Sequence, residues 1–93
     1  MYFVYILQSV STGRFYIGQC DHLIERFHEH QRGVNSATRG RGPWRIAYFE
    51  VYETRTEARK RETEIKRKKS STSIRRIIAR ACEIYGVSRI GLD

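Results

Sequence analysis

Cysteine is scarce in this sequence: the 93-residue chain holds two, Cys20 and Cys82. Small secreted domains that rely on disulfides usually hold more, and the separation of these two residues matches no metal-ligand spacing. The composition therefore predicts a protein of a reducing, cytoplasmic compartment. In such a setting we expect both thiols to act as small hydrophobic side chains.

Long apolar stretches are also missing. No run reaches the length that spans a bilayer, and the sequence shows neither a signal-type N-terminal segment nor a terminal lipidation motif. Membrane attachment is therefore not expected. The apolar content, 40% of residues with 12% aromatic, suits one compact core, so we expect a single domain over residues 1–93.

Acidic residues are few beside the basic ones. The sequence has ten Asp and Glu and 18 Lys and Arg, which gives a net charge of +8. Such a balance favours a polyanionic partner such as nucleic acid. Two function classes remain open, an enzyme acting on nucleic acid and a binding module without catalysis, because charge supports both equally. A purely structural partner protein does not account for the charge.

The stretch from Tyr2 to Gly18, YFVYILQSVSTGRFYIG, predicts a β-hairpin, because β-branched and aromatic residues alternate in both arms. Its turn residues are Ser11, Thr12 and Gly13. A register that places Leu7 opposite Arg14 predicts a further cross-strand pair. Tyr5 then lies opposite Tyr16, and two phenols meet on one face of the sheet. By itself, this pair is most simply interpreted as structural.

A helix is predicted from Asp21, which can cap it, to about Arg32, where Gly33 ends it. Its apolar stripe comprises Leu23, Phe27 and His30. Arg26 lies beside that stripe. Residues 33–44 follow, and their glycine-rich composition predicts a loop. The loop's donors to backbone phosphates are Asn35, Ser36, Thr38, Arg39 and Arg41.

Residues 45–53 alternate and predict a third strand that joins the hairpin. One face of this strand would hold Ile46, Tyr48 and Glu50, and the other Ala47, Phe49 and Val51. The fold class we predict is therefore α/β, with a three-stranded antiparallel sheet flanked by helices.

The next helix opens with a capping box from Thr54 to Glu57. Ala58 and Ile65 are its apolar positions, and Glu62 lies on the same stripe at i+4 from Ala58. Burying an unpaired charge is costly, so we expect this carboxylate to pair with a cation or to bind a metal.

A last amphipathic helix is expected to cover the core and to end at Gly86. The serine-rich residues 70–73 separate it from the basic run 66–69, which ends the preceding helix. Its apolar positions are Ile74, Ile77, Ile78, Ala81 and Ile84.

The order FVY, a short turn, YIG and then a helix resembles the GIY-YIG nuclease family. Residues 3–5 stand for its first motif, without the glycine, and residues 16–18 match the second literally. The resemblance is strong over residues 2–69 and loose over 70–93. It implies a metal-dependent endonuclease that hydrolyses DNA phosphodiester bonds with Mg²⁺ or Mn²⁺. Low sequence specificity or selectivity for strand structure would suit so small a body, and single-stranded or structured DNA is a candidate substrate.

The resemblance also implies roles for individual residues. Tyr5 or Tyr16 would relay a proton from the attacking water, and Arg26 would stabilise the transition-state phosphorus. Glu62 would be the sole protein ligand of the metal, while His30 would orient a phosphate or a tyrosine hydroxyl. Nucleic-acid contacts are expected from Thr38, Arg39, Arg41 and Lys66. The oligomeric state stays open, a monomer included.

Overall fold

The computed structural model describes residues 1–68 and 70–85. Its strands are β1 (Tyr2–Ser9), β2 (Phe15–Cys20) and β3 (Trp44–Tyr52), and its helices are α1 (Leu23–Gln31), α2 (Arg55–Arg67) and α3 (Ser71–Tyr85). The strands form an antiparallel sheet in the order β2-β1-β3, which confirms the predicted fold class. The predicted cap Gly86 and the side chains of Cys82 and Ile84 lie outside the described residues.

The hairpin of β1 and β2 has a different register from the one predicted. Tyr5 pairs with Gly18, and Tyr16 pairs with Leu7, so the prediction that the two tyrosines lie directly opposite each other is wrong. The turn explains the difference. The N–H of Ser9 donates to the carbonyl of Arg14 at 2.8 Å, so the partner of Arg14 is Ser9 and not Leu7, and the turn is centred one residue later in the chain than predicted.

The shift amounts to two residues along β2, and a shift of two leaves every side chain on its original face. Tyr5 and Tyr16 are therefore diagonal neighbours, with ring centroids 6.4 Å apart. The predicted meeting of two phenols on one face is confirmed. The glycine of the turn is confirmed as well, because Gly13 adopts a φ of 78°.

A β-bulge in β3 changes which of its residues share a face. Ile6 pairs with Tyr48 while Leu7 pairs with Ile46, so Ala47 is an additional residue between two pairs. The prediction that Ile46 and Tyr48 lie on one face is therefore wrong. Strict alternation holds only on either side of the bulge.

Helices cover both faces of the sheet. On the face that we call the α2 face, α2 and α3 pack over a core of Val4, Ile6, Ile17, Ala58, Ile65 and Ile74. On the opposite α1 face the core comprises Tyr5, Leu7, Cys20, Leu23, Trp44 and Ile46. Cys20 is only 2% exposed, as expected of a small hydrophobic side chain. No helix among the described residues has the length and apolar character to cross a membrane.

The two ends of α1 differ from each other in how well they were predicted. The predicted cap Asp21 is wrong, because the N-cap position is occupied by His22, whose side chain forms no cap hydrogen bond. The carboxylate of Asp21 instead pairs with the ring of His22 at 3.1 Å. At the other end Gly33 adopts a φ of 74° and donates its N–H to the carbonyl of His30, which ends the helix as predicted.

The start of α2 was predicted correctly, since Thr54 Oγ1 accepts a hydrogen bond from the N–H of Glu57 at 3.2 Å. The first residue of this helix, Arg55, donates to the side chain of Gln19 on β2 at 3.4 Å. Near its last turn, Lys66 lines a cleft together with Phe15, at the opposite end of β2. The helix therefore runs along the edge strand.

A network around Glu50 joins α2 to β3. The carboxylate accepts hydrogen bonds from the hydroxyls of Tyr48 and Tyr52 and from two N–H groups of Arg61, at 2.9 and 3.1 Å. Burial alone would raise the pKa of Glu50, but these hydrogen bonds outweigh it and hold the pKa below the ordinary value of 4.5. The charged carboxylate is therefore stabilised by folding.

We expect Glu50→Gln to lower the free energy of unfolding by about 1–3 kcal/mol near neutral pH, because it removes the charged acceptor from four donor groups on three residues. A carboxyl group whose pKa is lowered in the folded state adds stability above its unfolded pKa. It loses that stability as the pH falls through the folded pKa. Urea unfolding of wild type and variant at neutral and acidic pH measures this.

The exposed Glu53→Gln serves as the control for that experiment and should change stability little. Wild-type stability should decline below the ordinary pKa of 4.5 more steeply than that of Glu50→Gln. Equal pH dependence in the two proteins would contradict the network's role.

Candidate active site

Three polar side chains are buried together on the α1 face. Tyr5, in the middle of β1, is 1% exposed, and its hydroxyl lies 2.9 Å from Nε2 of His30 on α1. Nδ1 of the same imidazole lies 2.8 Å from Oγ1 of Thr38 in the following loop. A strand, a helix and a loop thus contribute one group each to a chain of hydrogen bonds.

The carbonyl of Asn35 sets the direction of that chain. A carbonyl only accepts, so the hydroxyl of Thr38 donates to it, at 3.4 Å. Its single proton is then used, and Thr38 must accept from Nδ1–H of His30. Burial, followed by the positive charge of Arg26, lowers the pKa of His30, so the ring is neutral near neutral pH. With its one proton on Nδ1, the neutral ring carries its lone pair on Nε2, which accepts from the hydroxyl of Tyr5.

Tyr16 and Arg26 both lie close to the imidazole of His30. The ring of Tyr16 is 4.9 Å from the imidazole of His30, centroid to centroid. Arg26, one turn before the histidine, pairs with Glu29 at 3.0 Å and keeps 40% of its side chain exposed. We call Tyr5, Tyr16, Arg26, His30 and Thr38 the tyrosine–histidine cluster.

Electrostatics within the cluster keep the buried phenol protonated. Burial raises the pKa of Tyr5 well above its ordinary value, the hydroxyl of Tyr16 adds to this, and Arg26 opposes it. Tyr5 is therefore a hydrogen-bond donor at neutral pH. It can release its proton only to a group that it already contacts, and Nε2 of His30 is such a group.

Gly18 makes room for the phenol. It lies directly across the hairpin from Tyr5, and a Cβ at this position would overlap the phenol ring. Any larger residue would displace Tyr5 from the cluster. Sequence reasoning assigned Gly18 no role, although a glycine inside a predicted strand is a signal of close backbone approach.

The loop residues of the predicted nucleic-acid interface lie in different environments. Thr38 is 1% exposed and its hydroxyl is engaged with His30, so it does not present the phosphate contact expected of it. Nothing in the sequence spacing related these two residues. Arg39 and Arg41 are exposed beside the cluster, and Nε of Arg39 donates to the carbonyl of Gly33 at 2.8 Å.

Glu62 and Lys66 lie on α2, which covers the opposite face of the sheet, and their side chains pair at 2.9 Å. Ala58 and Ile65 are fully buried as predicted, but Glu62 lies at the edge of their stripe with 19% of its side chain exposed. The contacts of the described residues do not join Glu62 to the cluster. Within the described part of the chain, no three His, Cys, Asp or Glu side chains gather as a metal-binding group.

Residues 1–75 match the GIY-YIG catalytic domain. The chain belongs to the GIY-YIG family. A UPF0213 protein of Clostridium perfringens is 40% identical over 68 residues, 72% of each chain. A UPF0213 protein of Staphylococcus aureus is 42% identical over 66 residues, 70% of this chain and 79% of the relative.

A solved structure agrees with this membership. The solution NMR structure of a UPF0213 protein from Bacillus halodurans is 30% identical, with a TM-score of 0.54, and the similarity covers 85% of this chain and 84% of that one. The resemblance stated from the motifs is therefore confirmed. The GIY-YIG domain implies nuclease-type activity on nucleic acid, and nucleases of this family typically use a divalent metal.

We expect nitrogen NMR of the imidazole of His30 to show a neutral ring near neutral pH, because the pKa of His30 is lowered. The proton should be on Nδ1, because the hydrogen-bond chain ends on an acceptor-only carbonyl. Thr38→Val removes the partner of Nδ1 and should lower the free energy of unfolding by about 1–3 kcal/mol. Thr56→Val, at an exposed position of α2, is the matched control. A proton found on Nε2 would contradict the assigned direction.

Proposed function

We propose that this chain is a metal-dependent endonuclease that hydrolyses DNA phosphodiester bonds, with low sequence specificity or with selectivity for strand structure. The observation that carries the proposal is the buried hydrogen bond between Tyr5 and the neutral His30, beside Arg26. A binding module without catalysis has no need of such a pair. The net charge of +8 suits either function and does not distinguish them.

The proton of the attacking water is proposed to leave through Tyr5 and His30. As the water oxygen attacks phosphorus, its proton passes to the half-buried Tyr16 hydroxyl, the Tyr16 proton passes to the buried phenol oxygen of Tyr5, and the Tyr5 proton passes to Nε2 of His30. The imidazolium that forms keeps its Nδ1–H bond to Thr38. Tyr16, whose ring packs on the imidazole, is proposed to position the water with its hydroxyl.

Arg26 is proposed to bind the phosphate that is cut. A guanidinium donates two parallel hydrogen bonds to phosphate oxygens and stays charged at any working pH. Its pair with Glu29 is an i,i+3 surface pair, with 40% and 43% of the side chains exposed. Such pairs contribute little, so the guanidinium can turn to a phosphate at small cost.

Glu62 is proposed as the ligand of the divalent cation, although it lies on the opposite face of the sheet from the tyrosine–histidine cluster. A substrate that contacts both must therefore cross the β2 edge. Mg²⁺ is commonly held by one or two carboxylates together with water and substrate phosphate oxygens, so a single glutamate suffices. The pair with Lys66 is an i,i+4 pair worth about 0.3–0.5 kcal/mol, and the carboxylate can exchange this partner. Mg²⁺ or Mn²⁺ held there would supply Lewis-acid stabilisation of the leaving oxygen.

Arg26→Lys should cut DNA nearly as poorly as Arg26→Ala, with a loss of about 10²–10³ in rate, because a point ammonium does not reproduce the bidentate contact. Plasmid nicking with Mg²⁺ measures the rate. Arg32→Lys, at an exposed position following α1, is the matched control and should cut normally. Near-normal cleavage by Arg26→Lys would reduce Arg26 to a general phosphate contact.

Glu62→Gln should abolish Mg²⁺-dependent nicking while the melting temperature stays close to that of wild type. The structural pair is weak, so its loss changes stability by less than about 1 kcal/mol. Glu64→Gln is the control, because this glutamate lies on the same helix and pairs with Arg61 at 3.3 Å. An active Glu62→Gln protein would refute the metal assignment. A wild type that binds DNA but never nicks it would favour the binding module.

A further inference from the structure

A cleft of about 430 Å³ opens on the α2 face, on the side of the sheet opposite the tyrosine–histidine cluster. It lies between the hairpin turn, the last turn of α2 and the start of α3. The lining side chains that matter here are Arg14, Phe15, Lys66, Ser70, Ser71 and Arg75. Among these residues only Lys66 was expected to contact nucleic acid, and the function proposed above makes no use of the cleft.

Three basic side chains from three different segments line the cleft, namely Arg14, Lys66 and Arg75. Among the described residues that line it there is no carboxylate. The acidic group in contact with these cations is Glu62, which pairs with Lys66 from outside the lining. The guanidinium of Arg75 lies 5.4 Å from the ring centroid of Phe15, a cation–π contact that holds it over the wall of the cleft.

The cleft and the cluster are reached from the same strand. β2 is an edge strand, and its successive side chains point to opposite faces of the sheet. Phe15 thus faces the cleft, while its neighbour Tyr16 faces the cluster. A nucleic-acid backbone that follows this edge can contact both.

We propose that Arg14, Lys66 and Arg75 bind a backbone phosphate of the nucleic acid, close along the strand to the phosphate that is cut. The proposal rests on the proposed function and deepens it, because it adds a second phosphate contact on the far side of the edge strand. Guanidinium and ammonium groups donate charge-assisted hydrogen bonds to phosphate oxygens, and the hydroxyls of Ser70 and Ser71 add donors. Contacts of this kind position the backbone and carry no sequence information.

Fluorescence anisotropy with a fluorescein-labelled DNA oligonucleotide tests this over a series of salt concentrations. EDTA prevents cleavage, so only binding is measured. The double variant Arg14→Gln/Arg75→Gln should bind about tenfold more weakly at low salt, and its log–log salt slope should be smaller by about 0.7–0.9, the contribution of one phosphate. Lys66 is left intact because its loss would also disturb Glu62.

The control is Arg76→Gln/Arg80→Gln, two exposed positions of α3 that carry the same change of net charge, from +8 to +6. It should bind within about twofold of wild type. Equal losses in the two double variants would show an effect of total charge alone and overturn the proposal, as would wild-type affinity in both. A wild type that does not bind the oligonucleotide overturns it too, whereas the nicking assay decides the proposed function separately.

Discussion

The hydrogen bond between the hydroxyl of Tyr5 and Nε2 of His30 constrains the whole α1 face of the protein. Burying a phenol and an imidazole is unfavourable unless their polar atoms find partners. Several features of the chain meet this requirement. Helix α1 carries His30 in its last turn and ends before Gly33, and the loop that follows brings Thr38 to the imidazole. Gly18 leaves space for the ring of Tyr5. None of the buried polar side-chain atoms among the described residues lacks a partner.

Periodicity in the sequence was sufficient to predict the three strands and the three helices, but it could not predict the hairpin register. The predicted and observed registers differ by two residues along β2, and both place Tyr5 and Tyr16 on the same face. The hydrophobic pattern therefore does not distinguish the two registers. Only the turn, closed by Ser9 and Arg14, decides it. The bulge at Ala47 was not predicted for a related reason, since a single additional residue leaves the composition of β3 unchanged.

The motif residues of the site could be predicted from the sequence, whereas their partners could not. Tyr5, Tyr16, Arg26 and His30 follow from the motifs and the spacing within α1. The hydrogen bond of His30 with Thr38 depends on the path of an irregular loop, which no periodicity describes. For Glu62, four helical steps from Ala58 leave an offset of about 40° around the helix. That offset separates the centre of a buried stripe from its partly exposed edge.

One side of α2 is fixed to the sheet by hydrogen bonds, and the other side carries a weakly paired glutamate and lysine. Toward β3, the half-buried Arg61 is held by Glu50 through two hydrogen bonds, and this fixes the helix on the sheet. Toward β2, Glu62 pairs with Lys66, of which 53% of the side chain is exposed, and that pair can exchange partners cheaply. A helix anchored on one side can present exchangeable charges on the other without loss of stability. This is why the β2 edge is where we place both the metal ligand and the additional phosphate contact.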